Sequence, residues 1–296
     1  MKKLVLLVMF IGLNALNIQN LQNKCEKGDG VSCFYLGVAY VSGKGIKQDY
    51  FKVRKYWEKA CELNIGRSCF NLGLLYEKGY GVKQNYFKVR KYWEKACELN
   101  VGEACTNLGL LYDKGYRVKQ NYVKARKYYE KGCELNDGMA CNNLGVLYDY
   151  AKGVKQDYFK ARKYYEKGCE LNNGMACNNL GVLYERGQGV KQDYFKARKY
   201  WEKGCELNEG AACNNLGILY RNRYGVKQDY FKAIKYYEKG CKLNYGKACN
   251  SLGFLHYKGY GVKQNYSKAK QLFRKACDLG IQMGCKNYAI LNKQGY

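Results

Sequence analysis

From Gly174 the chain reads GMACNNLGVLYERGQG, and Cys177, Leu180, Gly181 and Tyr184 fall at spacing 0, 3, 4 and 7. That spacing places them on one stripe of an α-helix. Gly187 and Gly189 follow, and glycine readily takes the backbone angles that end a helix. The next segment, VKQDYFKARKYWEKGCELN, sets Tyr194, Ala197, Tyr200, Trp201 and Cys205 on a second stripe. Asp193 stands before it as an N-cap, because its carboxylate can accept from free amides of the first turn. Asn208 and then Gly210 are expected to close it, as residues that tolerate a left-handed turn. The pattern predicts two short helices, each apolar on one side.

The pair returns every 36 residues. A fixed period of this size marks a repeat array, in which a unit buries its stripe only by stacking on its neighbours. The 296-residue length alone would suggest two domains, and the period overrules it. The predicted fold class is all-α, an αα-hairpin solenoid. Residues 1–15 read as a signal peptide, 16–28 as a truncated N-terminal helix, 29–280 as seven 36-residue repeats and 281–296 as a C-terminal capping helix. In that last helix Tyr288-Ala289 replaces the recurring Leu-Gly. The absence of proline suits a chain that is nearly all helix and stops on glycine.

All 16 cysteines belong to the same lattice, as C-x7-C pairs. The pairs are Cys25 and Cys33, Cys61 and Cys69, Cys97 and Cys105, Cys133 and Cys141, Cys169 and Cys177, Cys205 and Cys213, Cys241 and Cys249, and Cys277 and Cys285. Structural zinc sites place cysteines closer together with histidine help. With one histidine in the chain, no metal and no cofactor are expected. Disulfides are the better reading. Sequence leaves many pairings open, and the helical reading favours the local pair, which joins the end of one helix to the start of the next.

The N-terminus agrees with that chemistry. MKKLVLLVMFIGLNA carries two lysines, an apolar run too short to span a membrane, and a small residue. It predicts export to an oxidising space, secreted or periplasmic, where disulfides persist. No later stretch approaches membrane-spanning length. The net charge of +27 attracts anionic partners over long range. Nucleic acid is a poor candidate, since export removes the chain from it and lysines spread over every repeat.

The motifs L-G-x-L-Y, G-x-G and K-A-x-x-Y-[YW]-x-K-[AG]-C resemble the Sel1-like repeat, a cousin of the tetratricopeptide repeat. With C-x7-C in every unit and a signal segment, the chain is similar to the Helicobacter cysteine-rich branch of that family. Arg117, Arg223 and Ala151 replace glycines of the G-x-G, so those units are expected to end their first helix differently. The resemblance implies a secreted or periplasmic αα-superhelix with one disulfide per repeat. It also implies two functional traditions, a protein-interaction scaffold and, in the cysteine-rich branch, penicillin binding with slow β-lactamase activity.

The residues give the enzyme little. The single S-x-x-K runs from Ser267 to Lys270, no S-D-N exists, and Thr106 is the sole threonine, which excludes K-T-G. Ser267 stands in the column of Phe51, Phe87 and Phe159, read as a packing column. His256 stands in the column of Tyr148, Tyr184 and Tyr220 and reads as a substituted core tyrosine. Glu202 and Glu206 recur as a solvent face, and G-x-G follows a helix where a phosphate loop would follow a strand.

A binding scaffold fits better. Recurring columns, including Leu180, Gly181, Lys191, Gln192, Tyr194 and Lys199, serve stacking. One first-helix column varies: Val41, Glu77, Asp113, Asp149, Glu185, Arg221, Tyr257. It shares a face with Asn142, Asn178, Asn214 and Asn250, whose carboxamides donate and accept at once. These asparagines are expected to line a concave groove, the alternative being a ladder bonded between neighbouring units. The reading is an exported, disulfide-stapled scaffold, with Asn142, Asn178, Asn214, Asn250, Asp149, Glu185 and Arg221 as groove candidates; the alternative function is a slow β-lactamase. The expected partner is a protein or peptide, a peptidoglycan or β-lactam-like molecule, or an anionic surface ligand, bound by a monomer.

Overall fold

The computed structural model describes residues 17–43 and 46–296. The expected signal segment, residues 1–15, lies outside the described residues. Among the described residues are sixteen helices and no strand. The chain divides into two compact units, Met1–Ala140 and Cys141–Tyr296. The first holds α1 (Ile18–Glu26), α2 (Gly30–Ser42), α3 (Tyr50–Glu62), α4 (Gly66–Lys78), α5 (Tyr86–Glu98), α6 (Gly102–Lys114) and α7 (Tyr122–Glu134). The unit boundary falls within α8 (Gly138–Asp149). The second unit continues with α9 (Tyr158–Glu170), α10 (Gly174–Arg186), α11 (Tyr194–Glu206), α12 (Gly210–Asn222), α13 (Tyr230–Lys242), α14 (Gly246–Lys258), α15 (Tyr266–Asp278) and α16 (Gln282–Lys293). The fold is all-helical and solenoid-like, built of repeated hairpins.

One hairpin, α10 with α11, shows how the sequence builds it. Asn173 caps α10 by accepting from the Ala176 amide at 2.9 Å. Gly187, at φ 69°, stops it in the left-handed region, and Gly189 repeats that conformation at φ 65°. Asp193 caps α11 by accepting from the Lys196 amide. Trp201 then lies flat on Gly181, where an added Cβ would stand 2.5 Å from the indole nitrogen. The indole N–H is satisfied by the Asn178 carbonyl at 3.2 Å. Tyr184 and Tyr200 stack beside it, with ring centroids 5.6 Å apart. Beyond the expected stripes, Ala176, Leu183 and Gly204 are also buried.

The loop between the helices is latched. Gln192 Nε2 donates to the Glu185 carbonyl at 2.7 Å, and the Asp193 amide donates to the Tyr184 carbonyl at 2.9 Å. Gln48, Gln84, Gln120, Gln156, Gln228 and Gln264 make the same latch in their own loops. That explains why this glutamine recurs although its side chain lies at the surface.

Disulfides cross the next turn, from the end of a second helix to the first turn of the following one. Cys205 and Cys213 are bonded with Cα atoms 4.7 Å apart, and both are buried. Six further C-x7-C pairs do the same, at Cys25–Cys33, Cys61–Cys69, Cys97–Cys105, Cys169–Cys177, Cys241–Cys249 and Cys277–Cys285. Cys133 and Cys141 are disulfide-bonded as well. In the loop-entropy account a bridge spanning this short a segment contributes about 2.5 kcal/mol. The turn itself is tight: Asn208 sits at φ 64°.

Three expectations change. Gly210 does not close the turn; it is the first residue of α12 and is small because its Cβ would meet Tyr245 Cβ at 2.7 Å. The column of Phe51, Phe87 and Phe159 is not a packing column, since these rings are 66%, 69% and 62% exposed. Arg117 and Arg223 leave their first helices ending at the common register, Lys114 and Asn222, whereas α8, before Ala151, ends one residue early at Asp149. Arg117, Arg223 and Ala151 take left-handed angles of φ 60°, 66° and 55°, the conformation that glycine holds in the other units.

A side chain in that conformation costs about 1–2 kcal/mol over glycine. Ala151→Gly and Arg223→Gly should therefore each raise stability by about 1 kcal/mol, read as a shifted urea midpoint of the oxidised protein. Arg117→Gly should gain less, because the Arg117 guanidinium lies 5.6 and 5.8 Å from the Tyr86 and Tyr116 rings and its removal forfeits both contacts.

Candidate recognition face

Within the unit Cys141–Tyr296, first helices touch one another as well as their hairpin partners: α10 on α12, α12 on α14, α14 on α16. One face is therefore built of first helices alone. The asparagines of the recurring C-N-N-L-G stretch lie on it, and they bond across repeats. Asn179 Nδ2 donates to Asn142 Oδ1 at 3.0 Å, Asn215 Nδ2 to Asn178 Oδ1 at 2.9 Å, and Asn287 Nδ2 to Asn250 Oδ1 at 3.0 Å. Asn142 and Asn178 also donate to their neighbours Asn143 and Asn179. The side-chain oxygens of Asn142, Asn178 and Asn250 are thus engaged by the next helix. The carboxamides make a ladder between repeats, which was the alternative to open groove ligands.

The ladder breaks once in this unit. Ser251 stands where Asn215 stands one repeat earlier, and its side chain lacks the amide donor. Asn214 Oδ1 is left buried with no hydrogen-bond partner. Ser251 also lies against the Tyr237 phenol without completing a sound hydrogen bond, so that hydroxyl is buried and unpartnered too. Burial pushes the Tyr237 hydroxyl up to about 12, with Arg221 and Ser251 opposing the shift. The signal was present in the sequence as a serine in an asparagine column.

The variable column stands two turns further along each first helix. Asp149 Oδ2 accepts from the Tyr165 hydroxyl at 3.0 Å, and in the other unit Asp113 Oδ2 accepts from Tyr129 at 3.5 Å. A tyrosine on the second helix is thus matched by an aspartate on the first. Where the second helix carries Trp201 its N–H is already satisfied by backbone, and Glu185 stays free of it. Arg221 offers Tyr237 no acceptor and donates instead to Asn222 Oδ1 at 3.0 Å. Asp149, Glu185, Arg221 and Tyr257 are all half-buried. Burial raises the Asp149 carboxyl, against the opposing Tyr165 hydrogen bond and the Arg186 charge, and it raises Glu185 against the Arg186 charge.

The hydrolase-like residues do not assemble. Ser267 is exposed on the first turn of α15, while Lys270 Nζ donates to the Tyr296 carbonyl. His256 is half-buried among core tyrosine positions, and burial followed by the Lys268 charge holds its imidazole below its ordinary value. Glu202 pairs with Arg198 along α11 at 3.6 Å. Among the described residues no cluster of histidine, cysteine and carboxylate groups is arranged to hold a metal ion.

The Sel1 repeat family description matches residues 30–65, 66–101, 102–137, 138–173, 174–209, 210–245 and 246–281. Among solved structures, the chain is similar to c5321, a protective antigen of uropathogenic Escherichia coli strains displaying an SLR fold, at 26% identity and a TM-score of 0.82. That likeness covers 95% of this chain but only 60% of the antigen's length. A Sel1 repeat protein from Oxalobacter formigenes is similar at 28% identity and a TM-score of 0.67, covering 76% of this chain and 99% of that one. Cysteine rich protein B of Helicobacter pylori is 39% identical over 47% of this chain and 99% of its own, with a TM-score of 0.38. Among curated proteins none matches the chain.

Two outcomes follow from the buried polar groups. Ser251→Asn should supply the missing donor to Asn214 and raise stability by about 1 kcal/mol, seen in equilibrium unfolding. For Asp149 the folded carboxyl binds its proton more tightly than the unfolded one, so its ionisation weakens the fold as pH rises. Asp149→Asn keeps an acceptor for Tyr165 and should be more stable than the parent at neutral pH. That advantage should vanish once pH falls below about 4, where both states of the parent are protonated; melting curves across pH check it.

Proposed function

Because the chain belongs to the Sel1 repeat family, with seven repeats, we propose that it is an exported scaffold that recognises a protein or peptide segment through the face made by its first helices. The observation that carries this reading is the contrast on that face between a fixed floor and a changing column. The asparagine ladder holds successive helices in register, while Asp149, Glu185, Arg221 and Tyr257 present a different side chain from each repeat. Recognition of one sequence over another requires such differences, because identical positions read every ligand segment alike.

The spacing suits an extended peptide. Packed helices lie roughly 8–10 Å apart, and an extended strand advances about 3.3 Å per residue. Every third residue of the ligand would meet a new repeat. Glu185 favours a cationic side chain and Arg221, one repeat on, an anionic one, with an aromatic or apolar group over Tyr257. The disulfides support an oxidising compartment, periplasmic or extracellular, and among the described residues no helix is long and apolar enough to cross a membrane. The description of the Escherichia coli neighbour as a protective antigen is in keeping with export.

The test is selection of peptides on the oxidised full-length protein. Selected peptides should carry opposite charges about three residues apart and lose at least about tenfold in affinity to Glu185→Lys or Arg221→Glu. Lys199→Ala, on the exposed side of α11, should leave affinity unchanged. Peptides that bind both charge-reversed variants as they bind the parent would sink the reading.

A further inference from the structure

The second helices carry a surface that the reading above does not use. Phe195 is the second residue of α11 and its ring is 66% exposed. Phe159 and Phe231, at the same register in α9 and α13, are 62% and 77% exposed. Single exposed apolar residues are ordinary on protein surfaces. The same large ring turned outward at one register in three consecutive repeats is not, and Val123 and Ser267 show that the column accepts other residues. No apolar neighbour covers these rings. Arg162 and Arg198 guanidinium groups lie 5.1 and 5.0 Å from the Phe159 and Phe195 centroids.

The surroundings are cationic. Around Phe195 stand Lys191 in the loop, Lys196 beside it and Lys199 one turn on, all exposed, with Arg198 between. Asp193 is occupied in capping the α11 amides, and Glu202, one turn beyond Arg198, pairs with it at 3.6 Å, so the net charge of the patch comes from its lysines. The lysines recur 36 residues before and after, but Arg198 gives way to the apolar Ile234 in the later repeat. Shallow recesses between repeats are lined by Phe159, Arg162, Lys191 and Lys196, and one repeat on by Arg198, Lys227 and Lys232. In the unit Met1–Ala140, Phe51 and Phe87 stand at the same register with Arg54 and Arg90 over their rings at 5.2 and 5.7 Å.

We propose that this row of exposed phenylalanines set among lysines and arginines docks the protein on an anionic lipid bilayer, the cations meeting headgroup phosphates and the rings entering the acyl boundary. A soluble polyanion would engage the lysines and give the rings nothing. A protein partner rewards side chains that differ along its surface, whereas this row is nearly identical in each repeat. A phospholipid leaflet is anionic, uniform and has hydrocarbon directly behind its charge, and aromatic residues with Lys and Arg at one face are the combination that binds it.

The oxidised full-length protein is sedimented with vesicles of phosphatidylglycerol and phosphatidylethanolamine, and with vesicles of phosphatidylcholine alone. Binding is expected to the first and not to the second. The variant F51S/F87S/F159S/F195S/F231S should lose at least about tenfold in affinity for the anionic vesicles while its far-ultraviolet circular dichroism stays that of the parent. Phe195→Trp should shift its added fluorescence to the blue when anionic vesicles are mixed in, which reads ring insertion in a chain with a single changed residue. Equal vesicle binding by parent and five-fold variant would overturn the proposal, leaving charge alone. So would an unshifted Phe195→Trp emission, or heparin retention that depends on the five rings as strongly as vesicle binding does.

Discussion

The fold rests on a flat ring set against a bare backbone. In each hairpin a glycine of the first helix receives an aromatic ring of the second: Gly37 and Trp57, Gly73 and Trp93, Gly109 and Tyr129, then Gly145 and Tyr165, Gly181 and Trp201, Gly217 and Tyr237, Gly253 and Phe273. At every one of these positions a Cβ would come within 3 Å of the ring. The contact therefore fixes how closely the two helices approach, and with it which side chains further along the hairpin can meet. The Asp149 to Tyr165 hydrogen bond is a consequence, since the phenol that reaches the carboxylate belongs to the ring seated on Gly145. So is the Trp201 bond to the Asn178 carbonyl, three residues before Gly181.

Ring and glycine hold a hairpin together, but they do not join it to the next. A repeat array depends on its nearest-neighbour interfaces, because no distant contact compensates for a weak one. Here the turn between hairpins is made by a left-handed asparagine or glycine and spanned by a disulfide. Gly204 backs the Cys205–Cys213 bridge by letting Ala212 approach, with an added Cβ only 2.9 Å from the Ala212 methyl. The covalent link thus lies where the packing is thinnest, and the asparagine ladder adds a polar register on the first-helix side. Core, bridge and ladder act on different faces of the same joint.

Most of this was legible because each 36-residue period rebuilds the same hairpin with helices starting at the same positions, so each column keeps its face from repeat to repeat. Helix existence, the Asp193 cap, the Gly187 stop and the cysteine lattice followed directly. The Phe195 column was misread as packing, although two residues from Ala197 is about 200° around a helix and points away from the core stripe. Large aromatic side chains invite burial by composition, and here register decides. Gly210 was misread for the related reason that glycine signals both a turn and a close approach, and only the neighbour, Tyr245, distinguishes them. The Asp149 and Tyr165 match lay sixteen positions apart, beyond any local pattern, and required the hairpin to be closed before it could be seen. The Gln192 latch was hidden likewise, because a recurring glutamine in a loop names no partner.

The molecule separates two kinds of surface by the same repeat logic. On first helices the half-buried column differs in each unit, and its groups act at contact distance, where partial desolvation strengthens a charge. On second helices the exposed edge is nearly constant and densely basic, and its charges act through solvent over about 8 Å at physiological ionic strength. A field of that kind attracts anions without selecting among them, whereas the first-helix column, on the reading proposed above, would select without reaching far. Salt therefore weakens the two faces unequally. The second-helix face loses its attraction as the screening length shrinks, while a charge pair formed at the half-buried first-helix column would retain most of its preference. A single stapled repeat can carry both because its helices divide the work: the first is held in register by a ladder that leaves one column free to vary, and the second is anchored by ring and disulfide on one side, which leaves the opposite side unconstrained by packing.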